Sequence, residues 1–224
     1  MATSRTYGEA CGIPRALDRV GERWALLVVR ELMLGPKRFT DLKTGLPHAS
    51  PNVLAQRLRE LEHAGVVRKR RLPPPAASQV YELTEWGAEL ESVLVALGRW
   101  GARAPLEPEC MGMSVDSHVV SLATLFDGEL AGSFEAALEL RIGEDVFRAV
   151  IAGGEIDAGR GAPASPDAVL TLDPGTLLAL IHGEISVSDA VSSGALSIDG
   201  DRSVVERFVG LFPMPEPAAV PVPA

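Results

Sequence analysis

The sequence predicts an α+β protein of two domains, the first mainly helical with a short ribbon and the second a mixture of strands and helices. At 224 residues the chain has room for two domains of ordinary size. Residues 1–105 carry 16 basic and 11 acidic side chains, a net +5, whereas residues 106–224 carry 5 and 19, a net −14. Prolines follow a long helical pattern where the charge changes sign. We therefore expect domains at 1–105 and 106–212, followed by an extended, mobile proline-rich tail at 213–224.

The first half contains several short helical patterns. Gly21 and Gly35 bracket residues 22–34, whose apolar side chains follow helical spacing. Residues 38–43 read as one or two helical turns that end at Gly45, and Pro47 blocks continuation. Together they predict two helices separated by a turn.

A capped helix follows. Ser50 and Pro51 are a strong helix start, because the serine hydroxyl can accept a free backbone N–H and proline fits the first helical position. Gly65 marks the stop. One side of this helix is apolar and the other polar. The apolar side holds Leu54, Leu58 and Leu61, and the polar side holds Asn52, Gln56, Arg59 and His63.

A basic ribbon and a long apolar helix complete the first half. Residues 66–71 and 80–83 predict two strands joined by a proline-bearing tip. Thr84 can cap the next helix, and apolar side chains return to one face of residues 84–100. That face is too apolar to be left in water.

This order of elements is that of a winged helix-turn-helix, which indicates DNA binding. Asn, Gln and Arg can form paired hydrogen bonds with base edges in the major groove. We predict that Asn52, Gln56 and Arg59 read bases, with Arg57 on the flank. The predicted phosphate contacts are Lys37, Arg38, Ser50, Arg68, Arg70 and Arg71. The alternative is that these basic residues form only a solvated face.

Residues 11–101 resemble the HxlR family of winged-helix regulators. The resemblance is carried by Cys11 and the helix after it, residues 17–24, 30–35, 38–42, 50–62, 65–68 and 81–87. It implies a homodimer that binds inverted-repeat operators in double-stranded DNA. It also implies that the helix flanking Cys11 and the helix of residues 84–100 form the dimer contact. A core helix packed against the second domain would show the same apolar pattern over residues 84–100.

Cys11 has two interpretations. In some members of the family a cysteine at the matching position senses oxidants or electrophiles, and a thiol near a helix start can have a lowered pKa. The alternative is a small buried hydrophobic residue. Cys110 lies far away in sequence, so a structural disulfide is not expected in a reducing compartment.

Several functions lack a sequence signal. No apolar stretch is long enough to span a membrane and the N-terminus does not resemble a signal peptide, so we expect a cytoplasmic protein. Residues 115–212 show no nucleophile–base motif, phosphate loop or clustered metal ligands, and His118 and His182 stand alone. We expect no enzyme, no cofactor and no metal.

The acidic half mixes strands and helices. Strands are predicted at 146–151, 169–172 and 194–199, with helices from Asp173, around 187–191 and near the end. The order, with Gly183 and the turn at 200–201, is similar to the sterol-carrier-protein-like fold. That resemblance implies a sheet covered by helices around an apolar tunnel for a small hydrophobic ligand. Candidate lining residues are Phe126, Phe134, Leu177, Ile181 and Phe208.

Three functional hypotheses follow. The first is a homodimeric, sequence-specific transcriptional regulator modulated by a small apolar ligand in its second domain. The second is a redox or electrophile sensor that acts through Cys11, with a structural second domain. The third is a lipid carrier whose winged helix serves as a docking module. The alternative to a ligand site is that side chains fill the tunnel and the second domain only supports dimerisation.

Overall fold

The computed structural model describes residues 6–105 and 112–219. Cys110 and the end of the tail lie outside these ranges. The chain divides into two compact units, residues 1–94 and 95–224. The limits of the predicted domains and tail stay predictions.

The first unit is a winged helix-turn-helix. Its elements are α1 (Gly12–Val20), α2 (Ala25–Met33), α3 (Phe39–Gly45), α4 (Pro51–His63), β1 (Val67–Arg71), β2 (Gln79–Leu83), α5 (Glu85–Ala88) and α6 (Leu90–Gly101), within which the division between the units falls. Strands β1 and β2 pair antiparallel, and Lys37 adds a short bridge to Tyr81. Buried side chains of α2, α3, α4 and β1 form one core.

A buried carboxylate joins three parts of this unit. Glu31 of α2 is 0% exposed, and its carboxylate lies 2.6 Å from Lys37 Nζ and 3.0 Å from Arg30 Nη2. Gly45, the last residue of α3, lies against the same carboxylate, since a Cβ there would stand 2.3 Å from Oε2. Lys37 also exchanges backbone hydrogen bonds with Tyr81 of the ribbon, at 2.8 and 2.9 Å. The ends of α2 and α3 and the base of the ribbon are thereby held together.

Two helix predictions in this unit need correction. The helix expected over residues 22–34 begins only at Ala25, because Trp24 has left-handed backbone (φ 77°) and the residues before it form a turn. The single helix expected over residues 84–100 is broken at Glu89 into α5 and α6. The backbone of Gly87 abuts the Val66 carbonyl, where a Cβ would stand 2.0 Å from the oxygen. This tertiary contact fixes the course of α5 and leaves no trace in the apolar periodicity.

The second unit is built on a five-stranded mixed sheet. Its elements after α6 are α7 (Val115–Leu125), α8 (Gly128–Ala131), β3 (Ala136–Ile142), β4 (Asp145–Ala152), β5 (Glu155–Arg160), β6 (Ala168–Leu172), α9 (Pro174–Ile181), α10 (Val187–Ser192), β7 (Leu196–Gly200) and α11 (Arg202–Val209). The strand order is β5-β4-β3-β6-β7, and only the β3–β6 pair is parallel. The α+β fold class predicted from the sequence is confirmed.

One face of the sheet carries the core. Inward-facing side chains of β3, β4 and β6 alternate with outward ones and are 0–6% exposed. On the same face Arg160 of β5 reaches Asp116 of α7 at 2.5 Å and Asp145 at 2.7 Å. The opposite face bears ion pairs, Arg141 with Glu139 and Arg148 with Asp157.

Sequence patterns predicted the later elements of this unit but not several of the earlier ones. No element was predicted for α7, α8, β3 or β5. Strand β5 has the sequence EIDAGR, whose alternating burial is shallow because it is an edge strand. Helix α7 has buried residues around much of its circumference, so that no single apolar stripe marks it.

Candidate nucleic-acid interface

Helix α4 is divided into an anchored side and an open side. Leu54, Leu58 and Leu61 are 0–1% exposed in the core of the first unit. Ser50 caps the helix, since its Oγ accepts the Val53 N–H at 3.3 Å. The position of the helix is therefore fixed from one side only, as the alternation of leucines and polar residues predicted.

The open side displays three of the predicted base-reading residues. Asn52 and Arg59 are exposed and Gln56 is half-buried. Arg59 Nη2 donates to Gln56 Oε1 at 2.6 Å, and Gln56 Nε2 donates to Glu60 Oε1 at 2.6 Å. Arg59, Gln56 and Glu60 therefore form a hydrogen-bonded row along the helix.

Arg57 does not join that row. Its side chain is 14% exposed and pairs with Glu60 on α4 and with Glu22, at 3.5 Å, before α2. In this arrangement its guanidinium contacts protein carboxylates, and the structure does not bring it to the open side.

The basic strand β1 projects its cations in two directions. Arg68 and Arg70 lie on the same side and donate their Nε–H groups to the two oxygens of Glu82, at 2.8 and 2.7 Å. Both remain well exposed, at 63% and 44%, and each guanidinium has further N–H donors for a phosphate. Lys69 faces the other way, 3.0 Å from Glu62 and over the ring of Tyr81.

The remaining predicted phosphate contacts differ in placement. Lys37 is buried on Glu31, so the structure does not display it. Arg38 and Ser50 are exposed at the starts of α3 and α4. Arg71 is exposed near the tip of the ribbon, where its Nε donates to the Ala77 carbonyl at 3.4 Å.

The acidic partners of these cations were missed by sequence analysis. Glu60 stands four residues after Gln56 and three after Arg57, a helical spacing that could have predicted both contacts. Glu82 lies opposite Arg68 only because of the ribbon's register, for which the sequence gives no direct signal. Burial alone would raise the pKa of Glu82, but the hydrogen bonds from Arg70 and Arg68 outweigh it and hold the pKa below the usual 4.5.

Cys11 is the residue before a helix whose first residue lines a cavity. It is exposed, is a free thiol, and occupies the position just before α1. Its neighbour Gly12 lines a cavity of about 400 Å³ between α1 and the segment of α5 and α6. The other lining residues are Arg15, Ala16, Asp18, Arg19, Val20, Val66, Trp86, Glu89, Leu90 and Val93. The exposed thiol does not match the buried alternative.

The predicted lining residues of the second domain lie largely in its core. Phe126, Leu177, Ile181 and Phe208 are 0–7% exposed, and Phe134 is half-buried. The rings of Phe126 and Phe208 pack against Phe212, with centroids 6.0 and 5.0 Å apart. A ligand site at these residues stays a prediction.

The two isolated histidines have local partners. His118 is buried with Nδ1 2.8 Å from the Ser114 carbonyl oxygen, and His182 Nδ1 lies 3.8 Å from Glu184. Within residues 6–105 and 112–219, no group of three or more His, Cys, Asp or Glu could hold a metal ion. No helix in the same ranges is both long and apolar enough to cross a bilayer.

The fold and open helix define a DNA-binding winged-helix protein, and comparisons with known proteins agree. A family described as HxlR-like helix-turn-helix matches residues 19–107, and one described as alkyl sulfatase C-terminal matches residues 109–218. The HTH-type transcriptional regulator YvaP of Bacillus subtilis is 36% identical over 86 residues, 38% of this chain and 80% of that protein. YodB, an HTH-type transcriptional regulator of the same organism, is 38% identical over 85 residues, 38% of this chain and 76% of that protein.

Two solved structures are similar to part of this chain. Quinone-bound YodB from B. subtilis has a TM-score of 0.35 at 34% identity and covers 40% of this chain and 93% of that one. The redox regulator HypR in its oxidised form has a TM-score of 0.39 at 28% identity and covers 43% and 100%. On the sequence matches, this chain belongs to the HxlR-like helix-turn-helix family, and it is a DNA-binding transcriptional regulator.

The hydrogen bonds that Arg68 and Arg70 donate to Glu82 predict a pH-dependent contribution to stability. At about pH 7 we expect Glu82→Gln to lower the free energy of unfolding of the first unit by about 1 kcal/mol, since two charge-assisted hydrogen bonds to half-exposed arginines are weakened. Because the folded pKa is lowered, this contribution is complete above pH 4.5 and is lost as the pH falls through the folded value.

The measurement is urea unfolding followed by tryptophan fluorescence at several pH values. Glu9→Gln, at an exposed position, is the matched control and should have no comparable effect. A difference between wild type and Glu82→Gln that stays constant across pH 4.5 would contradict the assignment.

Proposed function

We propose that the chain is a homodimeric regulator that reads an inverted-repeat operator, each protomer placing α4 in a major groove. The observation that carries this proposal is the division of α4, whose leucine side is buried while Asn52, Gln56 and Arg59 stand on the open side. A major groove admits one helix, and these three side-chain types have hydrogen-bonding groups that match base edges. Arg68 and Arg70 on the ribbon would then contact flanking phosphates.

Exposed apolar side chains support the dimer. Ile13 and Leu17 on α1 are 71% and 43% exposed, and Trp86 on α5 is 52% exposed. On α6, Val93, Leu97 and Trp100 follow one another at spacings of four and three and are 53%, 44% and 74% exposed. Apolar surface of this kind favours burial against a second copy. We assign the dimer contact to α1 and to residues 84–100.

In this proposal the second domain has no catalytic centre. The protein acts in the cytoplasm, where a bacterial chromosome is accessible. The relatives that match the first half of the chain are transcriptional regulators. The family that matches residues 109–218 takes its name from a domain of an enzyme. Modulation by a small apolar ligand and the lipid-carrier alternative stay predictions.

Base reading by α4 predicts the loss of selectivity in two variants. We expect Gln56→Ala and Arg59→Ala each to weaken binding to a selected operator by about tenfold or more while changing binding to random DNA much less, since a paired base contact contributes about 1–3 kcal/mol of discrimination. The operator is obtained by selection from a random-sequence duplex library with the full-length protein, and affinities are measured by gel shift.

Arg202→Ala, which removes an exposed arginine of α11 that pairs only with Glu206 among its described contacts, is the matched control. If wild type enriches no sequence from the library, the proposal is wrong. It is also wrong if both variants retain full selectivity.

The dimer predicts a sensitive position on α6. Val93→Asp places a charge in the apolar surface, so we expect the protein to shift from dimer to monomer in sedimentation-velocity runs and to lose most operator affinity. Val191→Asp, at an exposed valine of α10 (36%, against 53% for Val93), is the control and should stay dimeric. Wild type that sediments as a monomer would reject the dimer outright.

A second candidate function is sensing through Cys11. The observation that favours it is that Cys11 is a free, exposed thiol at the start of α1. We expect Cys11→Ser to keep operator affinity but to abolish the change in affinity that hydrogen peroxide or a quinone causes in wild type, since serine has no thiol for peroxide to oxidise or for a quinone to add to. Gel shifts with and without oxidant give the comparison, and an unchanged response in the variant excludes Cys11 as the sensor.

A further inference from the structure

Glu60 ties together the polar side chains of α4. One of its oxygens, Oε1, accepts the Nε2–H of Gln56 at 2.6 Å, and the other pairs with Nη1 of Arg57. The carbonyl oxygen of the Gln56 side chain accepts in turn from Arg59 Nη2, at 2.6 Å. A single carboxylate therefore orients Gln56 and holds Arg57 away from the open side.

The orientation of Gln56 limits the hydrogen bonds that it can offer. Its amide has two N–H donors and two acceptor lone pairs. Glu60 takes one donor and Arg59 occupies one lone pair, which leaves one donor and one acceptor. If the amide flipped, its oxygen would face the Glu60 carboxylate and its NH₂ group would face the Arg59 guanidinium, so both hydrogen bonds would be lost.

One donor beside one acceptor matches adenine. In the major groove adenine presents the N7 acceptor and the N6 amino donor, whereas guanine presents two acceptors, N7 and O6. A glutamine with both N–H groups available can donate both to guanine. Because Glu60 occupies one of them, that mode is removed and the adenine mode remains.

We propose that Glu60 is a positioning residue that makes Gln56 select adenine over guanine in the operator. The inference rests on the proposed function, since it requires α4 to read bases. Arg59, which keeps further guanidinium N–H donors, supplies the neighbouring contact, and Arg57 contributes no base contact while Glu60 holds it.

Glu62 offers a control with the same charge on the same helix. It lies two residues further on and pairs with Lys69 at 3.0 Å, a hydrogen bond that raises the pKa of the lysine. Glu60→Ala and Glu62→Ala therefore remove equal charge, but only the first releases Gln56.

The test uses the full-length protein and its selected operator. The position that Gln56 reads is the one where Gln56→Ala equalises binding to A·T and G·C pairs. At that position we expect Glu60→Ala to lower the preference for adenine over guanine by about tenfold, and Glu62→Ala to leave it within about twofold. Both variants should bind random DNA more tightly than wild type, and to the same extent, because each loses one negative charge.

Glu60→Asp separates the hydrogen bond from the charge. The shorter side chain keeps the carboxylate but withdraws it from the Gln56 amide, so the preference for adenine should fall while binding to random DNA stays unchanged. This variant also carries the test if circular dichroism shows that Glu60→Ala does not fold.

The outcomes distinguish the inference from the proposed function. An adenine preference that survives Glu60→Ala and Glu60→Asp overturns the inference and leaves base reading by α4 intact. An equal loss in Glu60→Ala and Glu62→Ala also overturns it, because the effect then follows charge alone. A library from which wild type enriches no sequence overturns both proposals.

Discussion

The buried carboxylate of Glu31 is the interaction on which the first unit depends. It lies between α2, the segment that leads into α3, and the last residue of α3, where only glycine leaves room for it. Removing one partner of a buried ion pair leaves an uncompensated charge and typically costs about 3–5 kcal/mol. Since the turn after α3 leads directly into α4, the placement of α4 follows from this contact and from the leucines that anchor it.

Acidic residues shape the basic surface of the first unit. Arg57 pairs with Glu22 and Glu60, Lys69 with Glu62, and Arg68 and Arg70 share Glu82. The pairs with Glu82 hold the long, flexible side chains of Arg68 and Arg70 in defined positions, which would lower the entropy lost if they contacted a phosphate. Fewer positive charges are therefore available to DNA than the number of basic residues suggests, and the side chains that carry them are held in defined positions.

The core of the second unit is built from apolar side chains on one face of its sheet. Its sheet buries one face under helices, and the aromatic cluster of Phe126, Phe208 and Phe212 occupies the core. Arg160 reaches across to Asp116 and thereby fastens α7 to the edge strand β5. Phe126 and Phe208, which the sequence offered as lining residues of a ligand tunnel, pack against Phe212 in this core, and an apolar side chain suits both roles equally well in sequence, so a ligand site there stays a prediction.

Elements that depend on local chemistry were predictable from short stretches of sequence. The cap at Ser50, the stop before Gly65, the leucine stripe of α4, the ribbon and the proline start of α9 all follow from short-range patterns, and the family motifs identify the regulator. Tertiary structure decided the break at Glu89, the strands β3 and β5, the burial of Lys37 and the pairing of Glu82 with two arginines. Each of these depends on residues distant in sequence that meet only when strands take their register and helices pack, and no local pattern records which distant partner a side chain will find.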